Sequence, residues 1–119
     1  MKYAMLVYSD QSTWDALSEE EAARMRAESM PRWIALFEEM GKADPNLQGR
    51  ELVSAGEAKV VRVADGETIV TDGPFAETKE QLGGVFVTEL PDLDEAIRLA
   101  SLVPTAEHGT LEIRPLITR

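Results

Sequence analysis

Residues 59–72 read Lys-Val-Val-Arg-Val-Ala-Asp-Gly-Glu-Thr-Ile-Val-Thr-Asp, two β-type runs, 59–64 and 67–72, joined by Asp65-Gly66. Asp-Gly between such runs is the strongest short-range hairpin signal, because a two-residue type I′ turn needs positive φ at both central positions. A hairpin closed by so short a turn is complete in itself. It therefore reads as an insertion, and the fold is decided by the elements on either side of it.

Upstream, Lys2 to Tyr8 is apolar on both alternating faces, with Tyr3, Met5 and Val7 against Ala4, Leu6 and Tyr8. That is the pattern of a strand at the centre of a sheet. Ser18 and Glu21 then have capping-box spacing, and Glu19-Glu20-Glu21 lies where a helix dipole favours acid, so a helix starts here. Ala23, Ala27, Met30, Ile34 and Phe37, with Trp33 and Met40 beside them, recur at threes and fours up to Gly41, as for a helix packed on a sheet. Pro31 inside this pattern predicts a kink or a break. Residues 41–49 read as a loop and Arg50 to Ser54 as a short strand.

Downstream, Gly73-Pro74 ends the hairpin and Gly83-Gly84 introduces a strand from Val85 to Leu90. Asp92 and Glu95 repeat the N-cap spacing ahead of a helix with Leu93, Ala96, Ile97, Ala100 and Val103 on one stripe, closed by Pro104. Thr110 to Arg114 forms a last strand. Without the hairpin the order is β-α-β-β-α-β, the split pattern of a ferredoxin-like α+β domain with two helices on one sheet face. The other face has nothing in the chain to cover it. Tyr3 or Tyr8, Val61, Val87 and Ile113 are available for it, and burial by a second subunit, a homodimer, is the natural solution.

With 119 residues, 44% hydrophobic and 29% charged, the expectation is one globular domain spanning 1–119. The net charge of −10, from 22 acidic and 12 basic side chains, repels phosphate backbones and anionic lipid, so neither nucleic acid nor a membrane surface is an expected partner. The N-terminal apolar run is too short for a secretory h-region, and nothing approaches roughly 18 uninterrupted apolar residues, so a cytoplasmic location is expected. The chain has no cysteine and one histidine, His108, which excludes thiolate chemistry and multi-histidine metal sites; no metal is expected. His108 lies in a Glu-His-Gly turn and reads as a solvated loop residue. No phosphate-binding glycine motif occurs, so no nucleotide cofactor is expected, and none of another kind.

What remains is Asp72-Gly-Pro-Phe-Ala-Glu-Thr-Lys-Glu-Gln81, followed by Leu82-Gly83-Gly84. A strand-ending aspartate, a Gly-Pro turn, an aromatic and closely spaced charges can build a small polar pocket; equally, they can form a solvated reverse turn. The run from Asp72 to Gly84 resembles the signature of the DGPF (DGPFAETKE) family within the YCII-related group. The resemblance extends to Lys2-Tyr3, Tyr8, the hairpin, Asp92-Leu93-Asp94-Glu95-Ala96 and Glu112-Ile113-Arg114-Pro115. It implies a dimeric α+β barrel of ferredoxin-like subunits and an association with extracytoplasmic-function sigma factors. In the wider group a first-helix histidine and an aspartate are suggested as an active pair. The first helix here carries Met30, Trp33 and Phe37 and no histidine, so that pair does not transfer.

Three functional expectations follow. The first is a small-molecule site at the dimer cleft, with Asp72 as acid, base or acceptor, Arg62, Lys79 and Arg114 as anion-binding groups and Phe75 as an apolar wall. A single positioned carboxylate suits cofactor-free proton transfer, of isomerase or lyase type. The second is a regulatory module that binds a sigma factor or another regulator through its acidic surface, the 72–81 loop being a contact element. The third is a dimer whose motif only locks the strand connection and interface.

Overall fold

The computed structural model describes residues 1–118. Strand β1 (Lys2–Ser9) runs down the middle of a four-stranded antiparallel sheet. A short helix α1 (Gln11–Asp15) follows, capped by Asp10, whose side chain accepts from the Ser12 amide. The long helix α2 (Glu19–Ala43) begins at the expected capping box, Ser18 and Glu21 each bonding the other's backbone. Next come β2 (Gln48–Glu51), a 3-10 turn at Ala55–Glu57, and the hairpin β3 (Lys59–Ala64) and β4 (Glu67–Asp72). The chain ends with β5 (Gln81–Glu89), α3 (Leu93–Ser101), a 3-10 turn at Pro104–Glu107 and β6 (Thr110–Pro115). The sheet order β2-β5-β1-β6 is that of a ferredoxin-like α+β fold, and β3-β4 stands apart as a second, two-stranded sheet.

The hairpin has the expected turn, with φ of 51° at Asp65 and 77° at Gly66. Its register places Lys59 opposite Asp72 and Val61 opposite Val70. On the main sheet, alternation sends Tyr3, Met5, Val7, Phe86 and Thr88 toward the helices and Ala4, Leu6, Tyr8, Val85 and Val87 to the open face. The core between sheet and helices joins the first set to Leu36 and Met40 of α2, Leu90, Ala96, Leu99 and Ala100 of α3, and Val103. Tyr3 and Ile113, expected as candidates for the open face, therefore belong to the helix side, and Val61 belongs to the hairpin.

Four features differ from the sequence reading. Helix α2 passes through Pro31 without a break; Pro31 is exposed, and the remaining ladder of a 25-residue helix outweighs one lost hydrogen bond. The buried face of α2 is Leu36 and Met40 with Trp33 beside them, while Met30, Ile34 and Phe37 are about half exposed. The helix thus carries two apolar stripes, and the packed one is turned toward Leu36. Strand β2 lies two to three residues earlier than expected because Gly49 accepts the Phe86 ring against its backbone; a Cβ there would stand 2.7 Å from Phe86 Cδ1. Strand β5 starts at Gln81 and runs straight through Gly83-Gly84, with a bulge opposite Val7 and Tyr8.

Asp44 ties the two halves together. It is buried where α2 ends, and its carboxylate accepts from the Glu89 amide (2.8 Å), the Asn46 amide (2.9 Å) and the Thr88 hydroxyl (3.3 Å). These donors, the Glu89 amide foremost, hold its pKa below the ordinary value. No helix among the described residues is long and apolar enough to cross a membrane.

Candidate functional site

The loop joining β4 to β5 is held from within and from the side. Gly73-Pro74 is a cis peptide, and the Gly73 amide donates to Ala58 O at 2.8 Å. A Cβ on Gly73 would lie 2.8 Å from that of Ala58, so only glycine allows the approach. The Gln81 amide nitrogen donates to Ala76 O (2.8 Å) and to Thr78 O and Oγ1 (3.1 Å each), and Thr78 Oγ1 donates to Glu80 O (2.6 Å). The loop thus has a fixed shape without metal or disulfide.

The facing segment, 52–58, is fastened by α1. Gln11 accepts from the Ala55 amide (2.8 Å) and donates to Leu82 O (3.4 Å), and Ser54 Oγ donates to Asp15 (2.7 Å). Between segment and loop lies a cleft of about 580 Å³. Tyr8 and Leu82 of the open sheet face form one wall, Val53 and Val60 a second, Pro74 and Phe75 a third. Most of its surface is apolar, with Lys59, Thr78 and Glu80 among the polar exceptions. A concave apolar site with a few placed polar groups is the usual form of a small-molecule pocket.

The five residues singled out from sequence do not converge. Phe75 alone of them lines the cleft. Asp72 is exposed and ion-paired with Lys59, its cross-strand neighbour, which is itself one of the residues that line the cleft. The Arg62 guanidinium rests 5.5 Å from the centre of the Phe75 ring, a cation–π contact outside the cleft lining. Lys79 is exposed, and its charge acts at Asp10, whose carboxyl is held low chiefly by the Ser12 hydroxyl and amide. Arg114 donates to Glu112 Oε2 at 3.2 Å on the open sheet face.

The residues sequence reasoning passed over are Tyr8, Lys59 and Glu80. Tyr8 Oη donates to Glu112 Oε1 at 3.4 Å while its ring faces the cleft, which links the cleft to the Glu112–Arg114 pair. Glu80 is half-buried, and the Thr110 hydroxyl donates to its Oε1 at 2.7 Å. Lys59 was within reach of sequence: a two-residue turn at 65–66 fixes the pairing, and hence Lys59 opposite Asp72. Glu80 had no such signal, because its partner Thr110 lies thirty residues away. Among the described residues no group of three or more His, Asp or Glu side chains is placed to hold a metal ion.

Residues 1–118 match the model of the YCII-related domain. The uncharacterized protein R00369 of Rhizobium meliloti (strain 1021) is 41% identical over 118 residues, covering 98% of this chain and 92% of that protein. The chain belongs to the YCII-related family.

Proposed function

We propose that this YCII-related protein belongs to the DGPF subgroup, as the Asp72–Gly84 run suggests, and is a homodimer that binds a small molecule in the cleft between the 52–60 segment and the motif loop. The observation that carries the reading is the cleft itself: about 580 Å³, apolar walls and a rigidly fastened rim. If a reaction occurs there, the inventory suits cofactor-free proton transfer. Tyr8 and Glu80 are the titratable residues of the lining, besides the ion-paired Lys59, that could exchange a proton with a bound ligand. Asp72 contributes through Lys59, whose ammonium it fixes at the mouth.

Dimerisation is supported by what one subunit leaves uncovered. The Cα radius of gyration is 16.4 Å, against about 13.5 Å for a compact chain of this length. The hairpin accounts for much of the excess: Val61, Val63 and Val70 share one of its faces and are 61%, 70% and 59% exposed. A lone two-stranded hairpin is marginal in water and needs a surface to pack on. A second copy offers one, the open face with Ala4, Leu6, Val85 and Val87.

The test is a crystal structure of the protein soaked with a fragment library, with mass in solution measured by light scattering. Fragment density beside Tyr8 and Phe75 in a dimer supports the reading. Partner side chains filling the cleft, or no fragment there, refute the binding claim; a monomer refutes the assembly.

A second reading, a protein-binding regulatory module, is favoured by the exposed stripe of α2. Met30, Ile34 and Phe37 are 46–51% exposed, and Glu38 adjoins Ile34 at i,i+4 spacing on a chain of net charge −10, a combination suited to a basic amphipathic helix of a sigma factor or another regulator. Binding of an adjacently encoded sigma factor that is lost with Ile34→Glu supports it. Binding that survives the substitution, or none, removes it.

A further inference from the structure

We infer that the cleft selects an organic cation, an amine carried on an apolar or aromatic body; this rests on the small-molecule reading above and names its ligand class. Two charged residues line the cleft, Lys59 and Glu80. The Lys59 ammonium is already neutralised by Asp72. Glu80 makes no ion pair among the described residues; its carboxylate is held by a neutral hydroxyl, Thr110 Oγ1, through one oxygen. Of the charged residues in the lining, the one without a counter-ion is therefore negative.

The surroundings reinforce that sign. Arg114 donates to Glu112 and Arg62 rests on the Phe75 ring, and neither lines the cleft. Lys79, the remaining basic group of the motif, lies outside the cleft lining. The net charge of −10 adds a field that draws cations in and keeps anions out. Tyr8 and Phe75 supply aromatic surface, which attracts ammonium groups through the ring quadrupole and accepts an apolar body equally well. Glu80 is pre-oriented by Thr110, so little side-chain entropy is lost when an ammonium pairs with it. A carboxylate ligand would meet Glu80 with like charge and no unpaired cation among the residues that line the cleft.

The experiment compares benzylamine, benzyl alcohol and phenylacetate, near-isosteric probes of charge +1, 0 and −1, by two-dimensional amide NMR on the full chain. Benzylamine is expected to bind most tightly, moving the resonances of Tyr8, Phe75, Glu80 and Leu82, and to weaken as salt is raised. Glu80→Gln, which keeps shape and the Thr110 contact, is expected to cost benzylamine about tenfold in affinity and leave benzyl alcohol unchanged. Thr110→Val, which frees the carboxylate, is expected to cost less. Phenylacetate binding as well as benzylamine, or benzylamine indifferent to Glu80→Gln, overturns the cation inference while leaving the cleft a binding site. If no probe binds there, the cation inference and the small-molecule reading fall together. The charge series in the unmutated protein decides the question even if a variant fails to fold.

Discussion

Replacing Asp44 with alanine removes the acceptor for three donors that no other group among the described residues serves: the Glu89 and Asn46 amides and the Thr88 hydroxyl. Thr88 is 1% exposed, so its hydroxyl is stranded, and the Glu89 amide is partly buried. The Asn46 amide, nearer the surface, can turn to water. Leaving two buried donors unsatisfied costs about 3 kcal/mol. With an unfolding entropy near ~2.1 cal/mol/K per residue, a chain of 119 residues loses about 12 °C in Tm. Asp44→Asn, which keeps one acceptor oxygen, should fall between the two. The pH dependence provides a second check. The folded-state pKa of Asp44 lies below its ordinary value of 3.8, so its contribution is fully present above that value and lost as pH falls through the folded one. Thermal unfolding by circular dichroism at fixed protein concentration should give a constant gap between wild type and Asp44→Ala from about pH 5 to pH 8, narrowing below about pH 4. A gap under about 1 kcal/mol at neutral pH, or one that persists undiminished in acid, would refute the role assigned to this carboxylate.

Two glycines should respond in opposite directions in the same assay. Gly41→Ala, in α2 with nothing within 4 Å of the new methyl, is expected to stabilise by about 0.5–1 kcal/mol, whereas Gly49→Ala drives a methyl into the Phe86 ring and should cost about 1–3 kcal/mol. Gln81→Ala removes the three bonds that shape the motif loop; faster amide exchange across residues 75–80, with global stability lowered by only about 1 kcal/mol, is the expected outcome, and unchanged exchange would show that the loop is held otherwise. Val63→Glu places a charge on the hairpin face proposed to pack on a second subunit. Light scattering should then report the mass of one chain in place of two, and an intact dimer would move the interface elsewhere.

By itself the sequence determined the elements whose signals are local. The Ser18–Glu21 box, the Asp92 cap onto the Glu95 amide and the Asp65-Gly66 turn each specify their own backbone within four residues, and all three stand where they were expected. Their order determined the sheet topology, because connections in small domains are short and a split β-α-β pattern leaves few ways to close a core. The family was legible in the 72–84 run for the same reason, a contiguous string read as a string. Tertiary structure alone decided which stripe of α2 is buried, since both Met30-Ile34-Phe37 and Trp33-Leu36-Met40 satisfy helical periodicity and only packing into the core shared with Leu99 and Val103 chooses the second, Phe37 keeping an edge contact with the Phe86 ring, centroids 6.2 Å apart. It also decided the site. Phe75 reached the cleft while Asp72, Lys79 and Arg114 did not, because a cleft is made where segments distant in sequence meet. Lys59 follows from the hairpin register, but Tyr8 of β1 and Glu80 of the motif loop join it in one lining through a meeting of segments that no spacing along the chain encodes.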